Sequence, residues 1–179
     1  MRLETRRNTG GDSNGEDIDQ GRLVHNALRM RPDRIILCEV RGGEAFDLLS
    51  AMNTGHDGSL GTLHANTPRD ALSRLENMVL MSGYELPSRV IRNQIQSAVD
   101  MIIQIERLPD GSRRIMSISE VTGIEGDTIT LQELFRFSVL NQVNGKIVGE
   151  FVSSGNQPYN KGKLRNYGLE DDARRLFTE

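Results

Sequence analysis

Three side chains that can do chemistry follow two short apolar runs of this sequence. The run from Asp33 to Leu37 ends in Cys38 and Glu39, and Thr62 and His64 close a segment that begins at Ser59. If both runs are parallel strands of one sheet, their carboxyl ends lie at the edge where open α/β sheets bind ligands. A carboxylate, an imidazole and a hydroxyl would then meet at one place, and the first two are groups that general acid–base chemistry uses.

The stretch between the two runs has the features of a helix that connects parallel strands. Gly42 and Gly43 permit a tight reversal after the first strand, and Gly55 closes a helix predicted from about Glu44 to Asn53. The sequence therefore predicts strand, helix and strand, with the second strand from about Ser59 to Leu63. Apolar positions of the helix recur at helical spacing at Phe46, Leu49 and Met52.

Each of these side chains also has a purely structural interpretation. An acid after an apolar strand is often a helix cap or an ion-pair partner, and an isolated histidine is usually solvated or structural. Thr62 is a β-branched residue of the kind that strands favour. Neither His25, in a predicted helix, nor His56, in a glycine-rich turn, is predicted to be functional. On the residues alone, both interpretations of Glu39 and His64 stay open.

The composition is typical of a soluble protein with one core and a smaller appendage. The 179 residues are 36% hydrophobic and 26% charged, with a net charge of −3, so no nucleic-acid partner is expected. The single cysteine, Cys38, is predicted to be buried and leaves no disulfide framework or cysteine metal site. No apolar run approaches the roughly 20 residues that span a bilayer, and the first residues lack a signal-peptide core.

The remaining elements are predicted from capping residues and alternation. Residues 1–16 are predicted as a flexible polar segment, and Met101 to Val121 as a hairpin around the turn Pro109-Asp110-Gly111. A final helical stretch from Lys163 to Phe177 is interrupted by Gly168. Helices are predicted from Asp17 or Asp19 to Met30, from Pro68 to about Gly83 and from Pro87 to Asp100, and strands over 128–137 and 146–152.

Long runs of the chain resemble a known family. The segment RPDRIILCEVRGGEAFDLLSAMNTGHDGSLGTLHANTPRDALSRLENMV is similar to the C-terminal half of the RecA-like domain of type II/type IV secretion ATPases. The segments LETR and RGGEAFD resemble those of the CpaF-type branch, which assembles tight-adherence (Tad) pili. The resemblance implies a hexameric ATPase at the cytoplasmic face of the inner membrane, which uses ATP and Mg²⁺ to drive pilus assembly or protein export.

The resemblance also assigns roles to the residues at the predicted sheet edge. Residues 35–39 resemble the family's atypical Walker B strand, which makes Glu39 the acid near the attacking water and near Mg²⁺, directly or through water. The segment GTLHAN resembles the family's His box, which places His64 where it senses the γ-phosphate, with Thr62 beside it.

Three arginines are implied as phosphate-binding residues in the same way. Arg41 follows the Walker B acid, as in the family, and is expected to contact phosphate or a neighbouring acidic group. Arg2 and Arg6 lie in a segment that resembles the arginine-bearing stretch before Walker B. They are candidates for reaching the nucleotide of a neighbouring subunit.

One departure from the family is large. No G-x-x-x-x-G-K-[ST] motif occurs in the chain, so the cradle and the lysine that hold the β- and γ-phosphates are missing. We therefore expect the C-terminal part of a longer ATPase, with little hydrolysis by this chain alone. The predicted fold is α/β, with a partial RecA-like P-loop NTPase domain over 17–108, whose sheet is mainly parallel with flanking helices. A β-hairpin-rich extension is predicted over 109–179.

Two alternatives stand beside this interpretation. The same fold could bind ATPase subunits or an inner-membrane platform protein without turning over nucleotide, or the chain could come from a conjugative type IV secretion ATPase. The expected location is the cytoplasm, peripheral to the inner membrane and with indirect membrane contact. The expected partners are further copies in a hexamer and the platform protein. Exposed apolar sheet surface predicts self-association or marginal stability of this chain.

Overall fold

The computed structural model describes residues 1–6 and 17–177, so the predicted flexible segment 1–16 lies mostly outside the described residues. Contacts divide the chain into two compact units, Met1–Ala65 with Asp70–Ala98 and Asn66–Arg69 with Val99–Glu179. The second unit thus begins its long segment at Val99, whereas we predicted a boundary after residue 108. The reason is that strand 101–107 pairs with the strand that follows it.

The first unit combines helices with a short parallel strand pair. Asp19, one of the two predicted caps, accepts a hydrogen bond from the backbone N–H of Arg22 at 2.8 Å. The predicted strand, helix and strand are all present, as are the predicted helices on either side. The elements are α1 Gln20–Arg29, β1 Ile36–Leu37, α2 Glu44–Asn53, β2 Leu60–Gly61, α3 Pro68–Leu80 and α4 Ser88–Ala98.

Local chemistry explains where two of these helices begin and end. α2 starts after Gly43 and ends just before Gly55, whose φ of +94° is a conformation that glycine adopts without strain. α3 starts at Pro68, where the missing proline N–H would have no helical partner in any case. The predicted apolar face of α3 is buried, and its members are Ala71, Leu72, Leu75, Met78 and Val79.

All four helices contribute to the core of the first unit. Leu49 of α2, Val79 of α3 and both Ile91 and Ile95 of α4 are at most 1% exposed. Val24 of α1 is also buried. Each such side chain contributes about 1.5–3 kcal/mol through removal of apolar surface from water, which stabilises the packing of the helices in this unit.

The first strand is shorter and more exposed than the sequence predicts. β1 covers only Ile36 and Leu37, and the side chain of Ile36 is 70% exposed. Cys38, predicted to be buried, is exposed as well. The physical reason is that Ile36 and its partner Leu60 share one face of the strand pair and are 70% and 58% exposed, so the described residues do not cover that face.

The second unit is built on an antiparallel meander in the order β3-β4-β5-β6. The predicted hairpin is confirmed, while β5 continues beyond its predicted end at Phe137. Gly168, with φ of +68°, separates two short helices as predicted. The elements are β3 Met101–Arg107, β4 Arg113–Glu125, β5 Thr128–Val143, β6 Lys146–Ser153, α5 Lys161–Asn166 and α6 Glu170–Phe177.

A buried carboxylate ties the end of the chain to this sheet. Glu120 of β4 is 2% exposed and accepts the backbone N–H groups of Tyr159 at 2.6 Å and Asn160 at 2.8 Å. Both carboxylate oxygens are therefore hydrogen-bonded, as a buried charge requires. No helix in the described part of the chain is long and apolar enough to span a membrane.

Candidate functional site

Backbone pairing brings the ends of the two parallel strands together. The N–H of Thr62 donates to the carbonyl of Leu37 at 3.3 Å, and the N–H of Val40 donates to the carbonyl of Thr62 at 2.7 Å. The pairing thus continues beyond the two residues of each strand. As predicted from the sequence, Glu39 and His64 lie at the same edge.

Glu39 is the centre of this edge and uses both of its carboxylate oxygens. Oε2 accepts from the guanidinium of Arg41, and Oε1 lies 3.0 Å from Nδ1 of His64. The Glu39 side chain is 25% exposed, whereas those of Arg41 and His64 are 73% and 80% exposed. The acid is thus partly sheltered, and its two partners stand in solvent, where a ligand can reach them.

The charges of this cluster support one another. The hydrogen bond from Arg41 is the largest effect and lowers the pKa of Glu39. Desolvation opposes it, and the charges of Arg41 and His64 lower the pKa further. The same hydrogen bond raises the pKa of Arg41. Glu39 is therefore a carboxylate at neutral pH, which is the form that can accept a proton from water or attract a metal ion.

Thr62 lies at the same edge, and its side chain contacts the backbone of the neighbouring strand. Its hydroxyl donates to the carbonyl of Cys38 and so links the two strands immediately before the acid. In this structure the hydroxyl thus supports the strand ends, and the role of Thr62 toward nucleotide stays a prediction.

A tight turn follows the acid and leads into α2. Oε1 of Glu44 accepts the backbone N–H groups of Arg41 at 2.7 Å and Gly42 at 3.0 Å. At Gly43 a Cβ atom would lie 2.8 Å from Cα of Ser82, so no larger residue fits there without a shift of the backbone. Glu44 is not among the site residues predicted from the sequence. A carboxylate three residues after Arg41, next to a glycine pair, is the signal that could have indicated it.

The two N-terminal arginines are not part of this cluster. Arg2 forms an ion pair with Glu4 at 2.8 Å, and both side chains are largely exposed. Arg6 pairs through its backbone with Ile18, at 3.0 Å and 2.9 Å. The structure therefore brings together Glu39, Arg41, Thr62 and His64, but leaves Arg2 and Arg6 apart from them; their action on another subunit's nucleotide stays a prediction.

The described residues fit a nucleotide with Mg²⁺ only in part. Glu39 supplies an ionised carboxylate, and Arg41 and His64 supply exposed groups that can face phosphate oxygens. Within residues 1–6 and 17–177, however, no group of three or more histidine, cysteine, aspartate or glutamate side chains could hold a metal ion. Mg²⁺ at this edge would thus depend on Glu39 together with water and phosphate oxygens, which is how this ion is usually bound.

Comparison with known proteins identifies the family. The family described as "Type II/IV secretion system protein" matches residues 12–144. A putative conjugal transfer protein of Mycobacterium tuberculosis is 43% identical over 110 residues, which are 62% of this chain and 31% of that protein. The conjugal transfer protein TrbB of Rhizobium radiobacter is 44% identical over 111 residues, covering 62% of this chain and 32% of that protein.

A solved structure supports the predicted fold class. The crystal structure of the VirB11 ATPase from the Brucella suis type IV secretion system, in complex with sulphate, matches with a TM-score of 0.51 and 36% identity. The match covers 55% of this chain and 30% of that chain. The α/β, RecA-like fold class predicted from the sequence is thereby confirmed.

These matches refine the assignment made from the sequence. The relatives named above are conjugal transfer and VirB11 proteins, which supports the type II/IV secretion ATPase family but not the CpaF-type branch in particular. This chain spans about a third of the length of the curated relatives it matches. Because the family match extends over most of the sequence, the chain belongs to the type II/IV secretion system protein family.

Proposed function

We propose that this chain is the C-terminal part of a motor ATPase of a conjugative, VirB11-like type IV secretion system. The observation that carries the proposal is the cluster of Glu39, Arg41 and His64 at the carboxyl edge of two parallel strands. An ionised acid flanked by exposed cationic or polar groups is what phosphoryl transfer needs, because that reaction depends on positioning and on charge stabilisation.

The roles of the three side chains follow from their surroundings. Glu39, kept ionised by Arg41, would orient the attacking water and attract Mg²⁺ directly or through water. Arg41 and His64 would face the phosphate oxygens of ATP, with His64 next to the γ-phosphate. Mg²⁺, when bound, neutralises part of the phosphate charge.

The longer protein would supply the remaining parts of the site. The chain has no G-x-x-x-x-G-K-[ST] motif, so the cradle for the β- and γ-phosphates would come from outside these residues. Arg2 and Arg6 would act on the nucleotide of a neighbouring subunit in a hexamer. The motor would stand at the cytoplasmic face of the inner membrane, with a platform protein as its partner.

The Tad pilus assignment is the rival of the conjugative assignment within the same family. The Tad assignment is supported by the segments LETR and RGGEAFD of this sequence. The conjugative assignment is supported by the relatives from Mycobacterium tuberculosis and Rhizobium radiobacter. We favour the conjugative assignment for that reason.

A non-catalytic interaction module is the second candidate. It is favoured by the engagement of both carboxylate oxygens of Glu39, one by Arg41 and one by His64. In that case the cluster would stabilise the fold, and the chain would bind the ATPase or its platform protein without turning over nucleotide.

ATP hydrolysis separates the two candidates. This chain and a version extended upstream through a phosphate-binding loop would be assayed with and without Glu39→Gln, and Glu76→Gln would serve as the matched control. We expect the short chain to be inert and the extended protein to hydrolyse ATP. Glu39→Gln should lower the hydrolysis rate of the extended protein at least about 100-fold, because it removes the carboxylate. Activity of the short chain, or an extended protein indifferent to Glu39→Gln, would contradict the proposal.

A further inference from the structure

We propose that Glu44 is a positioning residue of the candidate site. Its carboxylate fixes the backbone at Arg41 and thereby holds the Arg41 guanidinium on Glu39. The role rests on the proposed function only in naming Glu39 as the acid of the reaction. Neither the family resemblance nor the comparisons assign a role to Glu44.

The choice of amides is the first observation that supports this role. Glu44 is the first residue of α2 and Gly43 is its N-cap, yet the side chain of Glu44 accepts N–H groups that precede the helix, at Arg41 and Gly42. A carboxylate that served only α2 would accept the free N–H groups of the first helical turn. Glu44 instead reaches back to the residue that carries the guanidinium.

The exposure of Arg41 is the second observation. Its side chain is 73% exposed, so packing does little to hold it over Glu39. An exposed ion pair gains little by itself, because ordering two long side chains costs conformational entropy. When the Arg41 backbone is fixed by a charge-assisted hydrogen bond, part of that ordering is already done before the guanidinium meets Glu39.

The other side of the turn is held by packing. Gly43 lies so close to Ser82 that a Cβ atom there would approach Cα of Ser82 to 2.8 Å. This contact fixes the turn at Gly43 but makes no hydrogen bond to the amides of Arg41 and Gly42. The direction of those two amides therefore depends on the carboxylate of Glu44.

Hydrogen bonding and simple charge make different predictions for Glu44. As a free negative charge near Arg41, Glu44 would compete with Glu39 for the guanidinium. As a hydrogen-bond acceptor on the backbone, it supports the pair instead. Glu44→Gln separates the two cases, because glutamine keeps an acceptor oxygen at the same reach and loses the charge.

The test is ¹⁵N NMR of this chain with three variants. We expect Glu44→Ala to speed solvent exchange of the Arg41 and Gly42 amides about tenfold, through loss of a charge-assisted hydrogen bond, and to lower the order parameter of the Arg41 Nε–H group. Glu44→Gln is expected to restore both. Glu76→Ala is the matched control, because it removes the ion pair of Glu76 with Arg92 at 3.0 Å, which does not involve Arg41, and should leave Arg41 unchanged.

Three results would overturn the proposal. The first is an unchanged Arg41 side chain in Glu44→Ala, and the second is a Glu44→Gln variant as mobile as Glu44→Ala. The third is equal loosening of Arg41 by Glu76→Ala, which would indicate a general loss of stability. If Glu44→Ala does not fold, Glu44→Asp replaces it, since the shorter carboxylate cannot reach both amides. No step uses nucleotide, so this outcome is independent of the hydrolysis assay.

Discussion

At the scale of single residues, the site consists of one acid, Glu39, that contacts two partner side chains. Glu39 gives one oxygen to Arg41 and the other to His64, and both contacts favour its ionised form. The backbone before Glu39 is also held in place, because the hydroxyl of Thr62 donates a hydrogen bond to the carbonyl of Cys38. The carboxylate is therefore positioned through the backbone as well as through its own contacts.

The Thr62 hydroxyl gives a prediction at this scale. Thr62→Val keeps the shape of the side chain but removes the donor, so the free energy of unfolding of the first unit should fall by about 1 kcal/mol. Urea unfolding would measure the loss, and amide exchange at Val40 should rise with it. Thr54→Val is the control. It removes a hydroxyl that donates to the carbonyl of Ser50 in α2 at 2.8 Å, and it should leave amide exchange at Val40 unaltered. Equal effects of the two variants would disprove a local role of Thr62.

At the scale of elements, turns decide how the strands and helices are joined. The turn between β1 and α2 is held by Glu44 on one side and by close packing against Ser82 on the other. The turn between β3 and β4 is held by Asp110, which accepts from the hydroxyl and N–H of Ser112 and from the N–H of Ile147. In both turns, one carboxylate accepts two backbone N–H groups.

Gly43→Ala tests the first of these turns. The added Cβ would meet backbone atoms of Ser82, which cannot swing aside as the end of a side chain could, so we expect a loss of about 1–3 kcal/mol in the free energy of unfolding. Gly162→Ala is the control, because nothing lies within 4 Å of the added atom. Urea titrations of both variants measure the difference, and a Gly43→Ala protein as stable as the control would show that the backbone at Ser82 can shift at little cost.

Asp110 gives a pH prediction for the second turn. Hydrogen bonds, led by the one from the Ser112 hydroxyl, lower the pKa of Asp110 from 3.8 to about 2. The lowered pKa means that the carboxylate stabilises the folded hairpin fully above about pH 4, and this contribution is lost as the pH falls through about 2. Carboxyl ¹³C NMR should show the low pKa, and Ser112→Ala should raise it, whereas Ser154→Ala should not. A pKa of Asp110 that does not change in Ser112→Ala would contradict this account.

At the scale of the whole molecule, exposed apolar residues are the main feature. Ile36 and Leu60 pair across the two parallel strands and are 70% and 58% exposed. Side chains of this kind lose contact with water when a second copy covers them. The self-association predicted from the sequence is therefore expected at this strand pair.

Sedimentation at several concentrations tests that expectation. Ile36→Lys should weaken self-association by at least about tenfold in Kd, since burial of one such side chain is worth roughly 1.5 kcal/mol or more. Met30→Lys, a change at another exposed apolar residue of the same unit, should have little effect. A parent chain that stays monomeric at high concentration would refute the prediction.

Much of the fold followed from local signals. The helix α3 was predicted from Pro68 and the spacing of its buried residues, and the hairpin β3–β4 from Pro109-Asp110-Gly111 between alternating strands. Burial of β1 was predicted wrongly. An apolar run such as Ile35 to Cys38 shows which side chains a strand could bury, but not whether they are buried. Whether a second layer covers it depends on neighbours that the run itself does not contain.

By itself, the sequence determined the family, the order of the elements and the chemical groups of the candidate site, because motifs, caps and periodicity are local properties of the chain. Only the tertiary structure decided which groups touch. It placed Arg41 and His64 on opposite oxygens of Glu39, turned Thr62 toward the backbone of Cys38 and left Arg2 and Arg6 outside the cluster. The physical reason is that a side-chain contact depends on the pairing and packing of segments far apart in the chain, and residue types and spacing do not specify that geometry.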